Sequence, residues 1–98
     1  MKKKYEIRLS KGAVRDLKKM EPALRDFLFN RIHEIAENPY KNNKLSGPYK
    51  ELRSQHNKFK GKEYRVIYYI DEEGRLIVIA LVGTRENIYD ELARRLNW

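Results

Sequence analysis

Residues 63–82 hold the pattern that leaves this chain least freedom. Glu63 to Ile70 reads EYRVIYYI, a run rich in β-branched and aromatic residues, which predicts a strand. Asp71 to Gly74 is a turn signal, and Arg75 to Val82 predicts an antiparallel return strand. Leu76 to Val82 is apolar at every position, which predicts cover on both faces of that strand. Parity sorts the first strand: Tyr64, Val66, Tyr68 and Ile70 share one face, and Glu63, Arg65, Ile67 and Tyr69 share the other.

The rest of the chain supplies elements to cover that hairpin. Tyr5, Ile7 and Leu9 alternate with Glu6, Arg8 and Ser10, as in a strand with one buried face. Ser10 is placed to cap a helix that carries Ala13, Val14, Leu17 and Met20 at helical spacing. Pro22 restarts the chain at a favoured first-turn position, and Leu24, Phe27, Leu28, Ile32 and Ile35 mark a second helix. Asn38–Pro39 ends it, and the short link between the helices predicts an antiparallel helical hairpin. Residues 39–48, with Gly47–Pro48, read as a loop. Tyr49 to Ser54 reads as a short strand, and Gln55 to Lys62 as an exposed turn. Glu86 to Leu96 reads as a helix packing through Ile88, Tyr89, Leu92 and Leu96. The order is strand, helix, helix, three strands, helix. The 98 residues make one domain, 1–98.

Charge narrows the partner. The formal net charge is +8. Between residues 41 and 65 eight cations (Lys41, Lys44, Lys50, Arg53, Lys58, Lys60, Lys62, Arg65) stand against Glu51 and Glu63 alone. Such a field favours a polyanion or an acidic protein, and with the interleaved aromatics it suits an RNA backbone better than a metabolite. The absence of cysteine excludes disulfides and thiolate metal sites and leans towards the cytosol. The two histidines, His33 and His56, lack metal-ligand spacing. No Walker loop, serine-nucleophile motif or dinucleotide fingerprint is present, so neither a metal nor another cofactor is expected. The longest apolar run is too short to span a bilayer, and MKKKYEIRLS lacks the apolar core of a signal peptide, so no membrane association is expected.

Several residues carry candidate chemistry. Arg65 interrupts an apolar strand, and an arginine there needs a cleft, a phosphate or an ion pair with Glu51, Glu63 or Glu86. Arg85 follows Gly83 and Thr84 at the start of a helix, where a cation is unfavourable unless an anion or a carboxylate answers it. With Arg53 these could neutralise a scissile phosphate and the extra charge of its transition state. Tyr89 suits base stacking, proton transfer or core packing. His56, in a basic turn, is a further candidate for RNA contact or proton transfer. Arg53, Arg65, Arg85 and Tyr89 are expected to line one concave site at an end of the sheet, with the last helix over it.

The segments LSKGAVRDLKKM, ENPY, KLSGPYKELR, EYRVIYYID and VGTRENIY, in this order over residues 5–96, resemble the RelE/ParE toxin superfamily and in particular RelE-like toxins. The resemblance implies an α+β fold, a small antiparallel sheet with an N-terminal helical hairpin packed on one face and a C-terminal helix. It implies a cytoplasmic, metal-independent endoribonuclease that cuts mRNA in the ribosomal A site by attack of the 2′-hydroxyl on the adjacent phosphate. It also implies a cognate acidic RelB-like antitoxin. Arg65, Arg85 and Tyr89 match the family's phosphate-binding arginines and its C-terminal tyrosine, and Arg53 matches a basic residue ending the second strand. Glu51 departs from the pattern, since the best-studied branch has a lysine there. Lys50 is displaced by one step, and Lys44, Lys58 or Lys62 are candidates to stand in, with Lys60 completing the RNA-binding set. Glu51 itself is either a carboxylate base or an ion-pair partner of an arginine. Two alternatives stay open: ParE-like inhibition of gyrase, and a toxin that has lost catalysis and survives as an antitoxin- or RNA-binding module.

Overall fold

Ser10 separates the first strand from the first helix. Its Oγ accepts a hydrogen bond from Ala13 N at 3.1 Å, as an N-cap does, and donates to Ala80 O at 3.1 Å. The computed structural model describes residues 5–84, 86 and 88–96, with the backbone alone at 96. The elements are β1 (Glu6–Leu9), α1 (Lys11–Lys18), α2 (Pro22–Glu37), a 3-10 turn (Gly47–Tyr49), β2 (Arg53–Phe59), β3 (Lys62–Asp71), β4 (Leu76–Thr84) and α3 (Ile88–Leu96). Pro22 occupies the first turn of α2, and Asn38 closes it.

The four strands form one sheet in the order β1-β4-β3-β2. β2, β3 and β4 run antiparallel as the sequence predicts, whereas β1 joins the edge of the sheet parallel to β4, from Glu6 beside Leu76 to Leu9 beside Ile79. The sheet is therefore mixed, and the α1–α2 hairpin packs across one face. There Ala13, Leu17, Leu24, Leu28, Ile32 and Ile35 bury themselves against Val66, Tyr68, Ile77, Ile79 and Val82. Full burial of an aliphatic side chain contributes roughly 1.5–3 kcal/mol, so this cluster is the main source of stability.

The second strand departs most from the sequence reading. A 3-10 turn replaces the expected strand at Tyr49, and β2 instead runs through the segment read as an exposed turn. The reason is that its buried positions are amides. Gln55 Nε2 donates to Arg31 O at 2.8 Å, Arg31 Nε donates to Asn57 Oδ1 at 2.6 Å, and Asn57 Nδ2 donates to Gln55 Oε1 at 3.1 Å. Both amides lie almost wholly out of solvent, each satisfied by a neighbour. The alternation is genuine but hydropathy does not show it. Lys60 and Gly61, both at positive φ, make the tight turn into β3.

One irregularity reshapes β4. Tyr68 pairs with Ile79 but Ile67 pairs with Leu81, so Ala80 is an extra residue, a bulge. Beyond it Leu81 turns to the second face, where it packs with Leu45, Leu52, Ile67, Ile88 and Leu92, and Tyr49 leans on the same cluster. α3 lies over this face through Ile88 and Leu92, each 1% exposed. Its far end is tied to α1 by Arg95 and Asp16. Cover of the second face is incomplete: Leu76, Val78 and Ala80 remain half-buried and Tyr69 is exposed. The expected cover on both faces of β4 holds only from Leu81 onward.

Candidate active site

Arg65 sits in the middle of the sheet on the face under α3. Its cross-strand neighbours are His56 on β2 and Gly83 on β4. Gly83 presents no side chain to Arg65. A Cβ built there would lie 3.5 Å from Leu81 Cδ2 and 3.8 Å from Ile88 Cδ1, so the start of α3 packs over this position. The Nε of Arg65 is buried and has no hydrogen-bond partner among the described residues. Ser54 Oγ, on the same face, is likewise buried and unpartnered. An orphaned guanidinium nitrogen costs desolvation energy, a cost that an incoming anion would offset.

Register places the neighbours. Ser54 is opposite Ile67, His56 opposite Arg65 and Lys58 opposite Glu63, all on the Arg65 face. His56 and Lys58 are solvent-exposed. Tyr89 follows Ile88 on α3 and is 45% exposed; its ring centroid is 6.0 Å from that of Tyr49. Register thus groups Arg65, His56 and Lys58 on one face, and on that face Tyr49 packs against the cluster containing Ile67 and meets Tyr89. Tyr49 and Ser54 were missed by the sequence reading. The rigid Gly47–Pro48 step before Tyr49 was the available signal for the first; nothing in the sequence marked the second.

Arg53 does not join this group. It is opposite Tyr68 in register and so lies on the helical-hairpin face of the sheet. Its Nη1 donates to Asn42 O at 2.6 Å and to Tyr40 O at 3.4 Å, and its guanidinium stacks 5.1 Å from the Tyr40 ring centroid. The expected convergence of Arg53 with Arg65 is therefore corrected, because β2 starts at Arg53 and its parity sends that side chain to the other face. Glu51 and Lys44 go with Arg53: together with Tyr40 and Ile70 they line a pocket of about 160 Å³. Lys50 is exposed after the 3-10 turn. Lys60 and Lys62 flank the β2–β3 turn; the Lys60 Nζ lies 3.9 Å from Glu21 Oε1. Arg85 lies outside the described residues. Among those residues, no helix is long and apolar enough to cross a membrane, and no group of three or more His, Asp or Glu is arranged to hold a metal ion.

An α1–α2 hairpin on one face of a four-stranded sheet with a final helix on the other is the fold of the RelE-type toxins. The family model of the ParE-like toxin of type II bacterial toxin-antitoxin systems matches residues 7–93, and the chain belongs to that family. None of the curated proteins matches it. Among solved structures it is similar to the toxin-antitoxin complex RelBE2 from Mycobacterium tuberculosis, with a TM-score of 0.73 and 26% identity over 85% of this chain and 100% of that one. A double-arginine mutant of E. coli toxin RelE in the free state gives a TM-score of 0.75 and 23% identity over 96% of this chain and 99% of that one. E. coli YafQ gives 0.63 and 18% identity over 87% and 98%.

Proposed function

We propose that this toxin is an endoribonuclease that cuts mRNA on the ribosome and is held inactive by an acidic antitoxin. The observation that carries the reading is Arg65, an arginine whose buried Nε has no partner among the described residues, set between His56 on β2 and Gly83 on β4, with Ile88 at the start of α3 packed over Gly83. In this reading Arg65 holds the non-bridging oxygens of the scissile phosphate, with Arg85 as a second cation. The ribose 2′-oxygen attacks phosphorus and the bond to the 5′-oxygen breaks. The products are a cyclic phosphate and a free 5′-hydroxyl. One group must take the 2′-hydroxyl proton and another must protonate the leaving oxygen. His56 and Tyr89 are the groups on the Arg65 face suited to those roles, whereas Glu51 belongs to the Arg53 pocket. Extra charge on phosphorus in the transition state is met by guanidinium nitrogens already in place. The ribosome would supply the geometry of the RNA, so free RNA should be cut poorly.

Support for the antitoxin comes from the family and from the M. tuberculosis relative, which was solved as a toxin-antitoxin complex. The basic surface of this chain, at +8 overall, suits an acidic partner. The deciding experiment is in vitro translation with mapping of mRNA ends for the wild type, Arg65→Ala and Arg85→Ala. Cuts at A-site codons that both variants lose establish the reading. Intact mRNA together with inhibited gyrase would move the protein to gyrase poisoning, and neither effect would mark a toxin without catalysis.

A further inference from the structure

Tyr49 has no part in the chemistry above, yet the fold takes trouble to place it. Gly47, at φ +65°, and Pro48 set the 3-10 turn, Leu52 N donates to Tyr49 O at 2.9 Å, and Leu45 N donates to Leu52 O at 2.9 Å. The body of Tyr49 rests on the cluster that contains Ile67, Leu81, Ile88 and Leu92. Its ring meets Tyr89 at 6.0 Å and 45°. Two aromatic rings from separate elements thus form one surface on the same face of the sheet as Arg65, and the Tyr89 part of it is 45% exposed. On the same face Ser54 Oγ and Arg65 Nε are buried and have no partner among the described residues. Ile67, which touches the aromatic cluster, is opposite Ser54 and two residues along β3 from Arg65.

Aromatic faces on the same side of the sheet as an arginine with an unpartnered Nε are matched by a ligand with a flat ring on one end and an anion on the other. A single-stranded nucleotide has both. We propose that Tyr49 and Tyr89 form a stacking platform for one unpaired nucleobase, with Tyr49 as the residue that fixes where the base sits while Arg65 and Ser54 take the attached phosphate. The proposal rests on the RNA-cutting reading but assigns a role to a residue outside it. Tyr49 is a positioning residue: it touches the base and not the reacting atoms. A tyrosine pair that served only as a lid on the apolar cluster would affect stability alone.

Equilibrium binding of a fluorescent single-stranded hexaribonucleotide at low salt tests this. The proteins are the full-length wild type, Tyr49→Phe and Tyr49→Leu, and a control oligonucleotide carries abasic sites at equal charge. Loss of stacking on one base corresponds to about a five- to 150-fold weaker Kd. Tyr49→Leu should show that loss with a melting temperature near wild type, Tyr49→Phe should retain binding, and the abasic oligonucleotide should bind the wild type as weakly as the normal one binds Tyr49→Leu. Equal binding by wild type and Tyr49→Leu, or equal binding of normal and abasic RNA, overturns the platform, as does failure of the wild type to bind. Cleavage on programmed ribosomes gives the second readout, in which Tyr49→Leu should alter the pattern of codons cut. A wild type that binds with this Tyr49 dependence but cuts nothing would keep the base site and refute the nuclease.

Discussion

Arg95, on the last helix, grips the carboxylate of Asp16, on the first, through two guanidinium nitrogens at 2.9 and 2.5 Å. Asp16 also accepts from Val82 N at 2.9 Å, so one side chain joins α1, β4 and α3. Gly12 makes room for it: a Cβ there would stand 2.8 Å from Arg95 Nη1. The bond to Asp16 raises the Arg95 pKa above its ordinary value, with burial pulling the other way. Arg95 is further held by Glu91 at 3.3 Å.

Removing one partner of this pair should loosen α3 before anything else. Asp16 is 10% and Arg95 25% exposed at the side chain. Because the pair is only partly open to solvent, Asp16→Asn should cost about 2–3 kcal/mol, below the full range for a wholly buried pair. Arg95→Met should cost less in the Asp16→Asn background than alone. Denaturant unfolding measures both, and amide exchange in α3 should speed up well before exchange in β3.

Arg65→Ala should lower cleavage on the ribosome about a hundredfold or more, the usual effect of losing one preorganised donor to a transition-state anion. Its stability should hold or rise slightly, because an unsatisfied buried nitrogen is removed. Primer-extension mapping with a melting curve checks the two together. A variant that fails to fold would count against this account of the site.

Arg53→Ala should behave in the opposite way. Its hydrogen bonds run to Asn42 O and Tyr40 O. Losing them should cost about 1–3 kcal/mol of stability. Cleavage at temperatures where the variant remains folded should match the wild type. A hundredfold drop in rate with full stability would restore Arg53 to the catalytic group.

Tyr68 should give the protein an alkaline limit. Its hydroxyl is buried, donates to Pro39 O at 2.7 Å and accepts from Asn42 Nδ2 at 3.2 Å. Burial raises its pKa above the ordinary value, against the opposing influence of Asn42 and Arg53. The folded state therefore holds the phenolic proton more tightly than the unfolded chain. The resulting stability is complete below about pH 10 and is lost as pH rises through the folded-state value. Urea midpoints should fall more steeply above that pH for the wild type than for Tyr68→Phe, which loses about 1 kcal/mol at neutral pH.

The parts of this architecture that rest on hydrophobic period were readable in the sequence. The parity of β3 put Arg65 and Tyr68 on opposite faces, the spacing of Leu24, Leu28, Ile32 and Ile35 defined the buried side of α2, and Ser10 and Pro22 marked where helices begin. Two things were hidden. Gln55 and Asn57 are buried by hydrogen bonding to Arg31, so β2 has the composition of a loop, and with β2 misplaced the orientation of Arg53 and Glu51 could not be read. The meeting of Tyr49 with Tyr89 joins residues forty positions apart through tertiary packing alone.

The extra residue at Ala80 has a consequence for how this site could change over time. Because the side-chain period of a strand is two, that one insertion decides which of Leu81, Val82 and Gly83 face the arginine. The missing side chain opposite Arg65 thus depends on counting along the backbone as well as on the glycine that fills the count. Substitutions around the site can vary chemistry while the bulge persists, whereas flattening it, so that Ala80 itself pairs with Ile67, would set Val82 opposite the arginine in place of Gly83 with every visible site residue intact.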